Sequence, residues 1–265
     1  MLQWIHKYLA LTRRAMGIML EYRAAMLVWM LSLSFPLVML AVWLSLAQDG
    51  PVGSFSAGDF IAYYVLGLYV RQLTSVWVAW ELDYEIRHGD LSNKLLHPLH
   101  PIHEYIAGNV AYRIIVFCIF TPLVIAVVLL VPNVSIVLSP WNLFWFAIVM
   151  FGAWLMRYLS QFALGLLAFW FSQALVVTDV YFLLFQLFGG GVAPLELLPQ
   201  PIGTIAYYLP FRLMLAFPIE LMMGRVPPNE LWTNLALMLG WIAIFFVIYR
   251  ITWARGIRRF SAFGA

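Results

Sequence analysis

The sequence predicts an all-α integral membrane protein, and three observations support this fold class. Of its 265 residues, 64% are hydrophobic and only 10% are charged, whereas soluble domains are about half apolar. The mean hydropathy is +0.90. The apolar residues also fall into blocks long enough to cross a bilayer, which takes about 20 residues of helix. We therefore expect a single transmembrane domain over residues 1–265 with six transmembrane helices and both termini on one side.

The segment that precedes the first apolar block, residues 1–23, has the pattern of an amphipathic helix. At about 100° per residue, its polar residues fall on one face: Gln3, His6, Lys7, Arg13, Arg14, Gly17 and Glu21. The opposite face carries Trp4, Tyr8, Leu11, Ala15, Ile18, Met19 and Tyr22. A basic helix of this kind lies in the membrane interface with its apolar face down. The alternative is a cytoplasmic extension of the first span.

The six predicted spans follow the apolar blocks. They cover residues 24–47, residues 59 to the "ELDYE" cluster at 81–85, and residues 105–131, 141–171, 174–188 and 231–251. Turn signals such as "QDGPVG" and "VPN" separate them. Cys118, which lies inside a predicted span, is the single cysteine, and a chain with one cysteine can form no internal disulfide.

The distribution of basic residues predicts the orientation. On the side of the termini lie Lys7, Arg13, Arg14, Arg23, Arg87, Lys94, Arg250, Arg255, Arg258 and Arg259. The other side has only Arg212 and Arg225. By the positive-inside rule, both termini and the loop at 81–104 are cytoplasmic, in a multi-pass protein of the bacterial cytoplasmic membrane. Topology thus explains the net charge of +3, and no nucleic-acid partner is predicted.

The segment 189–228 is too apolar for an ordinary loop and is interrupted by proline and glycine. Its pieces "IGTIAYYL" and "FRLMLAFPIELMM" are too short to span. We expect re-entrant helices covered by protein, which shape an outer vestibule. The candidate residues of this region are Glu196, Pro199, Pro210 and Arg212. For Glu196, helix capping and a role in cargo exit both remain open.

A compact polar stretch, "EIRHGDLSNKLLHPLHP" at 85–101, interrupts the apolar chain. Gly89 stands where glycine usually ends a helix, and Asp90 or Ser92 can cap a short helix over "LSNKLL". Prolines end that helix. Its apolar side is predicted to consist of Leu91, Leu95 and Leu96. Such a helix, facing the cytoplasm, suits docking onto another protein.

Two other interpretations of this stretch are open. His97, His100 and His103 could bind a metal, but prolines break their helical register, and no cysteine or clear carboxylate motif completes the set. A solvated connecting turn would explain the charges, though not a short helix with leucines on one side.

Three charged residues lie deep within the predicted spans: Arg71, Arg157 and Asp179. Charges at such depth are usually paired and face a protein interior or a wet cavity. Either an arginine meets an anionic part of the cargo, or the charges pair structurally, for example Arg71 with Asp179.

The stretch "IRHGDLSNKLLHPLHPIHEYIAG" resembles the cytoplasmic loop of type-two ABC transporter permeases, where "IR-x-G-x-L-x-x-x-L-L-x-P" recurs. The segments "GGGVAPLELLPQPIGTIAYYLPF" and "FPIELMMGR" are similar to the outer re-entrant region of that family. The resemblance implies half of an exporter, embedded in membrane lipids, with a second permease, identical or homologous, and cytoplasmic ABC ATPase subunits. It also implies an ATPase-coupling element composed of Arg87, Gly89, Asp90, Leu91, Leu95, Leu96 and Pro98.

The chain itself lacks the motor of such a pump. ATPases need a G-x-x-x-x-G-K-[ST] loop, but the two lysines, Lys7 and Lys94, follow His6 and Asn93. ATP and Mg would therefore bind to the partner ATPase, and this chain is predicted to hold no cofactor or metal and to have no catalytic residue. The rival classes are an intramembrane enzyme acting on lipid or peptide, for which no H-E-x-x-H motif is present, and an ATP-independent channel subunit.

Overall fold

A computed structural model describes residues 2–21, 34–132 and 134–260, and these residues form a bundle of α-helices. The helices are α1 (Leu2–Glu21), α2 (Ser34–Leu46), α3 (Ala57–Thr74), α4 (Val78–His88), α5 (Leu91–Leu95), α6 (Ile102–Leu130), α7 (Pro140–Gly165), α8 (Ala174–Phe188), α9 (Ile202–Tyr208), α10 (Pro210–Met214), α11 (Ala216–Met222) and α12 (Pro228–Arg259). Short 3₁₀ turns follow α7 at Leu166–Phe169 and precede α9 at Leu195–Leu197. The all-α prediction is thus confirmed for the described residues.

Three of the described helices are long and apolar enough to cross a membrane. They are α6, α7 with its 3₁₀ turn (Pro140–Phe169), and α12. The apolar helices α2 and α8 are shorter. Residues 24–33 of the first predicted span lie outside the described residues, so only its second half is seen, as α2. The chain is a multi-pass membrane protein, and the count of six spans stays a prediction.

The second predicted span is not continuous, which corrects the sequence interpretation. α3 ends at Thr74 and α4 begins at Val78, with Ser75 in an extended conformation between them. The hydroxyl of Thr74 donates to the carbonyl of Val70, and that of Ser75 donates to the carbonyl of Gln72. Side-chain hydroxyls that bond to nearby carbonyls compete with helix continuation. The apolar composition concealed this break.

The N-terminal helix α1 forms as predicted and packs against α6. His6, Lys7, Arg13 and Arg14 are exposed. Tyr8, on the other face, is half-buried, and its hydroxyl is hydrogen-bonded to His103 Nδ1. The side chains of Gln3 and Trp4, and the whole of Tyr22, lie outside the described residues.

Residues 210–223 of the segment 189–228 are buried within the protein, whereas most of residues 199–208 are exposed. Leu213, Phe217 and Ile219 have no exposed surface and pack with residues of α3 and α7 in the largest core cluster. Pro210 occupies the first turn of α10, where its missing N–H is not needed. The short helices α10 and α11 thus pack against the longer helices, whereas α9 packs against α10 and the preceding 3₁₀ turn. The re-entrant arrangement stays a prediction.

Candidate functional site

The polar stretch at 85–101 folds as a bent connection between α4 and α6, which we call the knuckle (residues 85–101). α4 ends at His88, and Gly89 follows in the left-handed region with φ 81°. A Cβ at Gly89 would meet no neighbouring atom within 4 Å, so the need for glycine is one of backbone conformation alone. The predicted helix end at Gly89 is confirmed.

The predicted capping of α5 is wrong. Asp90 precedes α5 with helical φ −63° and ψ −24°, and its side chain makes no capping hydrogen bond. The Ser92 hydroxyl donates to the carbonyl of Gly89 at 2.6 Å instead of accepting from a free N–H. A capping side chain requires an extended backbone at the cap position, and the tight turn after Gly89 leaves Asp90 helical.

The three leucines of the knuckle do not form one apolar side, which is a second correction. Leu91 is fully buried in a cluster with Leu82, Ile86 and Tyr105. Leu95 is 37% exposed and Leu96 is 84% exposed. Because α5 ends at Leu95, only its first turn lies over the apolar surface of α4 and α6. Leu91 therefore anchors the knuckle, and Leu96 projects from it.

Lys94 fastens α5 to both neighbouring helices. Its Nζ lies 2.6 Å from Glu85 Oε1 on α4 and 3.8 Å from Glu104 Oε2 on α6. The same Nζ lies 4.0 Å from the centre of the Tyr105 ring, and the Tyr105 hydroxyl donates to Glu85. Several charges acting as a network hold geometry better than one surface pair does. The knuckle is therefore a braced element.

Arg87 fastens the end of α4 to a further segment. Its Nε and Nη2 donate to the two carboxylate oxygens of Asp83 at 2.7 and 2.9 Å. Nη2 also donates to the carbonyl of Phe171, between α7 and α8, at 3.1 Å. Bidentate arginine–carboxylate pairs fix geometry well. Arg87 thus joins α4 to the segment that begins α8.

The three histidines near the knuckle face different partners. His97 Nδ1 lies 3.5 Å from Glu104, and His103 bonds to Tyr8. The His100 ring lies 4.5 Å from that of Trp253 on α12. Partial burial there lowers the pKa of His100, and the positive charges of His103 and Arg250 lower it further. Among the described residues, no group of three or more His, Cys, Asp or Glu could hold a metal ion.

The suggested pair of Arg71 and Asp179 is wrong. Arg71 Nη1 donates to Gln186 Oε1 of α8 at 2.7 Å. Asp179, also on α8, is exposed and makes no ion pair with a described residue. An amide oxygen relieves the guanidinium without requiring a buried carboxylate.

Two further arginines bind to the end of α3. Arg157 Nη1 donates to Thr74 Oγ1 at 2.8 Å and to the carbonyl of Arg71 at 3.3 Å. Arg113, on α6, donates to the carbonyls of Asn109 at 2.6 Å and Ser75 at 3.3 Å. The last carbonyls of a helix lack intrahelical partners and carry partial negative charge. The binding of these arginines to a helix end was not predicted from the sequence. The adjacent hydroxyl residues Thr74 and Ser75 were the sequence signal for that helix end.

In the segment 189–228, Arg212 belongs to a buried polar cluster. Its Nη2 lies 2.6 Å from Glu220 Oε2, and its Nη1 donates to Asn234 Oδ1 at 2.5 Å. The guanidinium also lies 4.2 Å from the centre of the Tyr207 ring. Arg212 is only 5% exposed. Neither of these partners was predicted from the sequence, and the outer location of Arg212 stays a prediction.

Glu196 takes part in an ion-pair cluster rather than capping a helix. Arg225 Nη1 lies 3.1 Å from Glu196, and Arg225 Nη2 lies 3.5 Å from Asp59. Ser54 Oγ donates to Glu196 at 2.9 Å. The nearby Pro199 carbonyl accepts from the Gly203 N–H at 3.3 Å. The cluster joins the loop before α3 to the segment before α9.

The clusters around Arg212 and Glu196 border one open cleft of about 360 Å³. Its walls include Glu196, Thr204, Tyr207, Arg212, Glu220 and Glu230. Charged and hydroxylated side chains make the cleft polar, in contrast to the apolar outer surface of the long helices. That this cleft is an outer vestibule stays a prediction.

Comparison with known proteins gives one family. The model of the family described as "ABC-2 family transporter protein" matches residues 28–264, nearly the whole chain. No curated protein matches the chain.

Proposed function

The chain belongs to the ABC-2 family of transporter proteins, and we propose that it is the six-helix permease subunit of an ATP-driven exporter in the bacterial cytoplasmic membrane. A second permease, identical or homologous, would form the other half of the translocation path. Cytoplasmic ABC ATPase subunits, which bind ATP and Mg, would drive it through the knuckle. The termini and the knuckle would both face the cytoplasm.

The observation that carries this proposal is the exposure of Leu96. A leucine 84% exposed beside exposed Leu95 and Pro98 places an apolar surface on an otherwise charged loop. Burying one such side chain in a partner contributes about 1.5–3 kcal/mol. Because Leu91 and Lys94 fix the loop from below, a partner that binds Leu96 meets a preorganised surface and loses little entropy on docking.

The bracing of the knuckle also supports its role in coupling. The contacts of Lys94 join it to α4 and α6, and those of Arg87 join it to the start of α8. The break at residues 75–77 separates α4 from the buried helix α3. A displacement of the knuckle would thus be passed to α4, α6 and the segment near Phe171, with α3 held in the core.

The outer region would complete the path. We place the polar cleft beside α9–α11 at the outer exit, where residues 189–228 re-enter the membrane. Backbone of this irregular kind is tolerated at membrane depth only under a cover of protein or beside a wet cavity. The burial of Leu213, Phe217 and Ile219 supports that arrangement.

Replacing the exposed leucine tests the proposal. In Leu96→Asp, a docking leucine becomes a charge that the partner must desolvate, and we expect ATPase binding to weaken roughly 10- to 100-fold. Leu95→Asp should act in the same direction and abolish ATP-dependent function. The amount of chain in the membrane should not change, because Leu96 makes little contact within the chain. Co-purification of the ATPase and ATP hydrolysis in membrane vesicles are the measurements.

Asn93→Asp is the matched control, since it adds the same charge to an exposed position of the same knuckle. It should bind the ATPase within about threefold of the wild-type chain, as expected for an exposed charge. If Leu96→Asp retains wild-type ATPase binding and hydrolysis, the docking role of the knuckle is refuted. Transport that continues without any ATPase would instead support a channel subunit.

A further inference from the structure

An apolar groove on the outside of the bundle ends at an arginine that has no acidic partner. The groove has a volume of about 390 Å³ and runs between α6 and α7, with Leu73 of α3 also in its wall. Val110, Phe117, Cys118 and Phe151 make its lining almost wholly apolar. Arg113 and Trp154 lie at the same groove, with the guanidinium 4.6 Å from the centre of the indole ring.

Arg113 retains donors that the protein does not use. It gives one hydrogen bond each to the carbonyls of Asn109 and Ser75, whereas a guanidinium carries five N–H donors. Its Nη1 and Nη2 each keep a further N–H, whereas its Nε and the Nε1 of Trp154 are buried without a hydrogen-bond partner among the described residues. No carboxylate of the described chain forms an ion pair with it. A charge beside hydrocarbon is usually paired, so this site favours an anion.

The position of Arg113 along α6 gives the depth of the site. Residues 114–130 of α6 contain no charged residue, and at about 1.5 Å per residue they extend roughly 26 Å. That length approaches the about 30 Å of a bilayer's hydrocarbon core. Arg113 therefore lies where the hydrocarbon begins, on the side of the knuckle. This is the level of the headgroup phosphates in that leaflet.

We propose that the groove binds an anionic phospholipid of the cytoplasmic leaflet. Its phosphate lies against Arg113, and one acyl chain follows the groove past Phe117 and Cys118. Basic pockets between transmembrane helices on the cytoplasmic side are suited to anionic headgroups. The apolar walls would contact the acyl chain of the lipid, and a soluble phosphate has no such chain. The inference takes the leaflet from the proposed orientation of the knuckle, but it does not depend on transport, because the site's own charge, shape and depth carry it.

Cys118 makes the site directly measurable, because it is the single cysteine of the chain and is exposed in the groove. The full-length chain in nonionic detergent is mixed with phosphatidylglycerol or phosphatidylcholine, and alkylation of Cys118 by a maleimide is timed. We expect phosphatidylglycerol to slow alkylation at least fivefold at a concentration where phosphatidylcholine changes it less than twofold. Inorganic phosphate alone should leave the rate unchanged, since Cys118 lies more than a helical turn from Arg113.

Variants assign the effect to Arg113. In Arg113→Gln, phosphatidylglycerol should protect Cys118 no better than phosphatidylcholine does. Arg255→Gln, which removes an exposed arginine of α12, should keep the wild-type difference. Equal protection by both lipids, or protection that survives in Arg113→Gln, overturns the proposal. So does protection without lipid that grows with protein concentration, since a second copy would then cover the groove.

If Arg113→Gln fails to accumulate, the comparison of phosphatidylglycerol with phosphatidylcholine on the wild-type chain still tests the proposal. An absence of selective protection by phosphatidylglycerol refutes the site. Selective protection that disappears at high salt supports a charge-based contact. Arg113→Lys, which keeps the positive charge, should retain part of the selectivity.

Discussion

Breaking the buried pair of Arg212 and Glu220 should destabilise the outer half of the protein strongly. The two side chains are 7% and 12% exposed, and their charged atoms lie 2.6 Å apart. Asn234 Oδ1 accepts a second bond from the same guanidinium. In Glu220→Met, Arg212 keeps its buried charge and loses its only ion-pair partner among the described residues. Leaving one member of a buried pair unpaired costs about 3–5 kcal/mol.

The double variant separates the charge from the packing. Arg212→Met combined with Glu220→Met removes both charges and keeps similar side-chain volumes. Apolar replacement of a whole buried pair is often neutral or stabilising. Only the amide of Asn234 then loses a partner, at about 1–3 kcal/mol. We expect the double variant to be more stable than Glu220→Met alone.

The assay is thermal unfolding in detergent, followed by the fluorescence of the 12 tryptophans. For domains near this size, about 1 kcal/mol shifts the melting temperature by roughly 2–4 °C, so Glu220→Met should melt about 6–20 °C below the wild-type chain. Glu196→Gln is the control, because Glu196 is 45% exposed in its pair with Arg225 and should contribute about 1 kcal/mol or less. A Glu220→Met variant that melts with the wild-type chain, or a double variant less stable than the single one, would refute the reasoning.

Two further predictions concern packing and pH. A Cβ at Gly165 would lie 2.9 Å from backbone atoms of α4, so Gly165→Ala should destabilise the chain by about 1–3 kcal/mol. Gly240→Ala, which meets nothing within 4 Å, should stabilise α12 by about 0.5–1 kcal/mol; equal melting shifts would contradict this. Because burial, His103 and Arg250 lower the pKa of His100, its contribution to stability is full above about pH 6.5 and is lost as the pH falls through the lower native pKa. The melting temperature of His100→Gln should therefore fall less than that of the wild-type chain between pH 7.5 and 5.5, and parallel curves would contradict the assignment.

Local signals predicted much of the knuckle, because they act over only a few residues. Gly89 ends α4 as expected, since its left-handed backbone conformation favours glycine whatever surrounds it. The burial of Leu91, Leu95 and Leu96 could not be predicted from such local signals. Leu91 and Leu96 are five positions apart, yet the first is fully buried and the second is 84% exposed. That division depends on how far the surfaces of α4 and α6 extend, which is a property of the folded chain.

The partners of the charged residues in the segment 189–228 also depend on the folded chain. The pattern of proline and glycine predicted that residues 189–228 would form short helices, because these residues act on the backbone directly. It did not predict that Arg212 would pair with Glu220 and Asn234. Several pairings were open to each charge, and only the packing of α10 and α11 against α12 selects among them.

The intramembrane arginines are explained by a break in a helix. The depth of Arg157 left a cargo contact and a structural pair open, but Arg157 bonds to the Thr74 hydroxyl and the Arg71 carbonyl, and Arg113 bonds to the Ser75 carbonyl. Since Thr74 and Ser75 are buried, the last carbonyls of α3 must find donors within the protein. An arginine from a neighbouring helix supplies several donors and a charge that favours the negative helix end. The break and the arginines therefore require each other, and neither can be inferred from hydropathy alone.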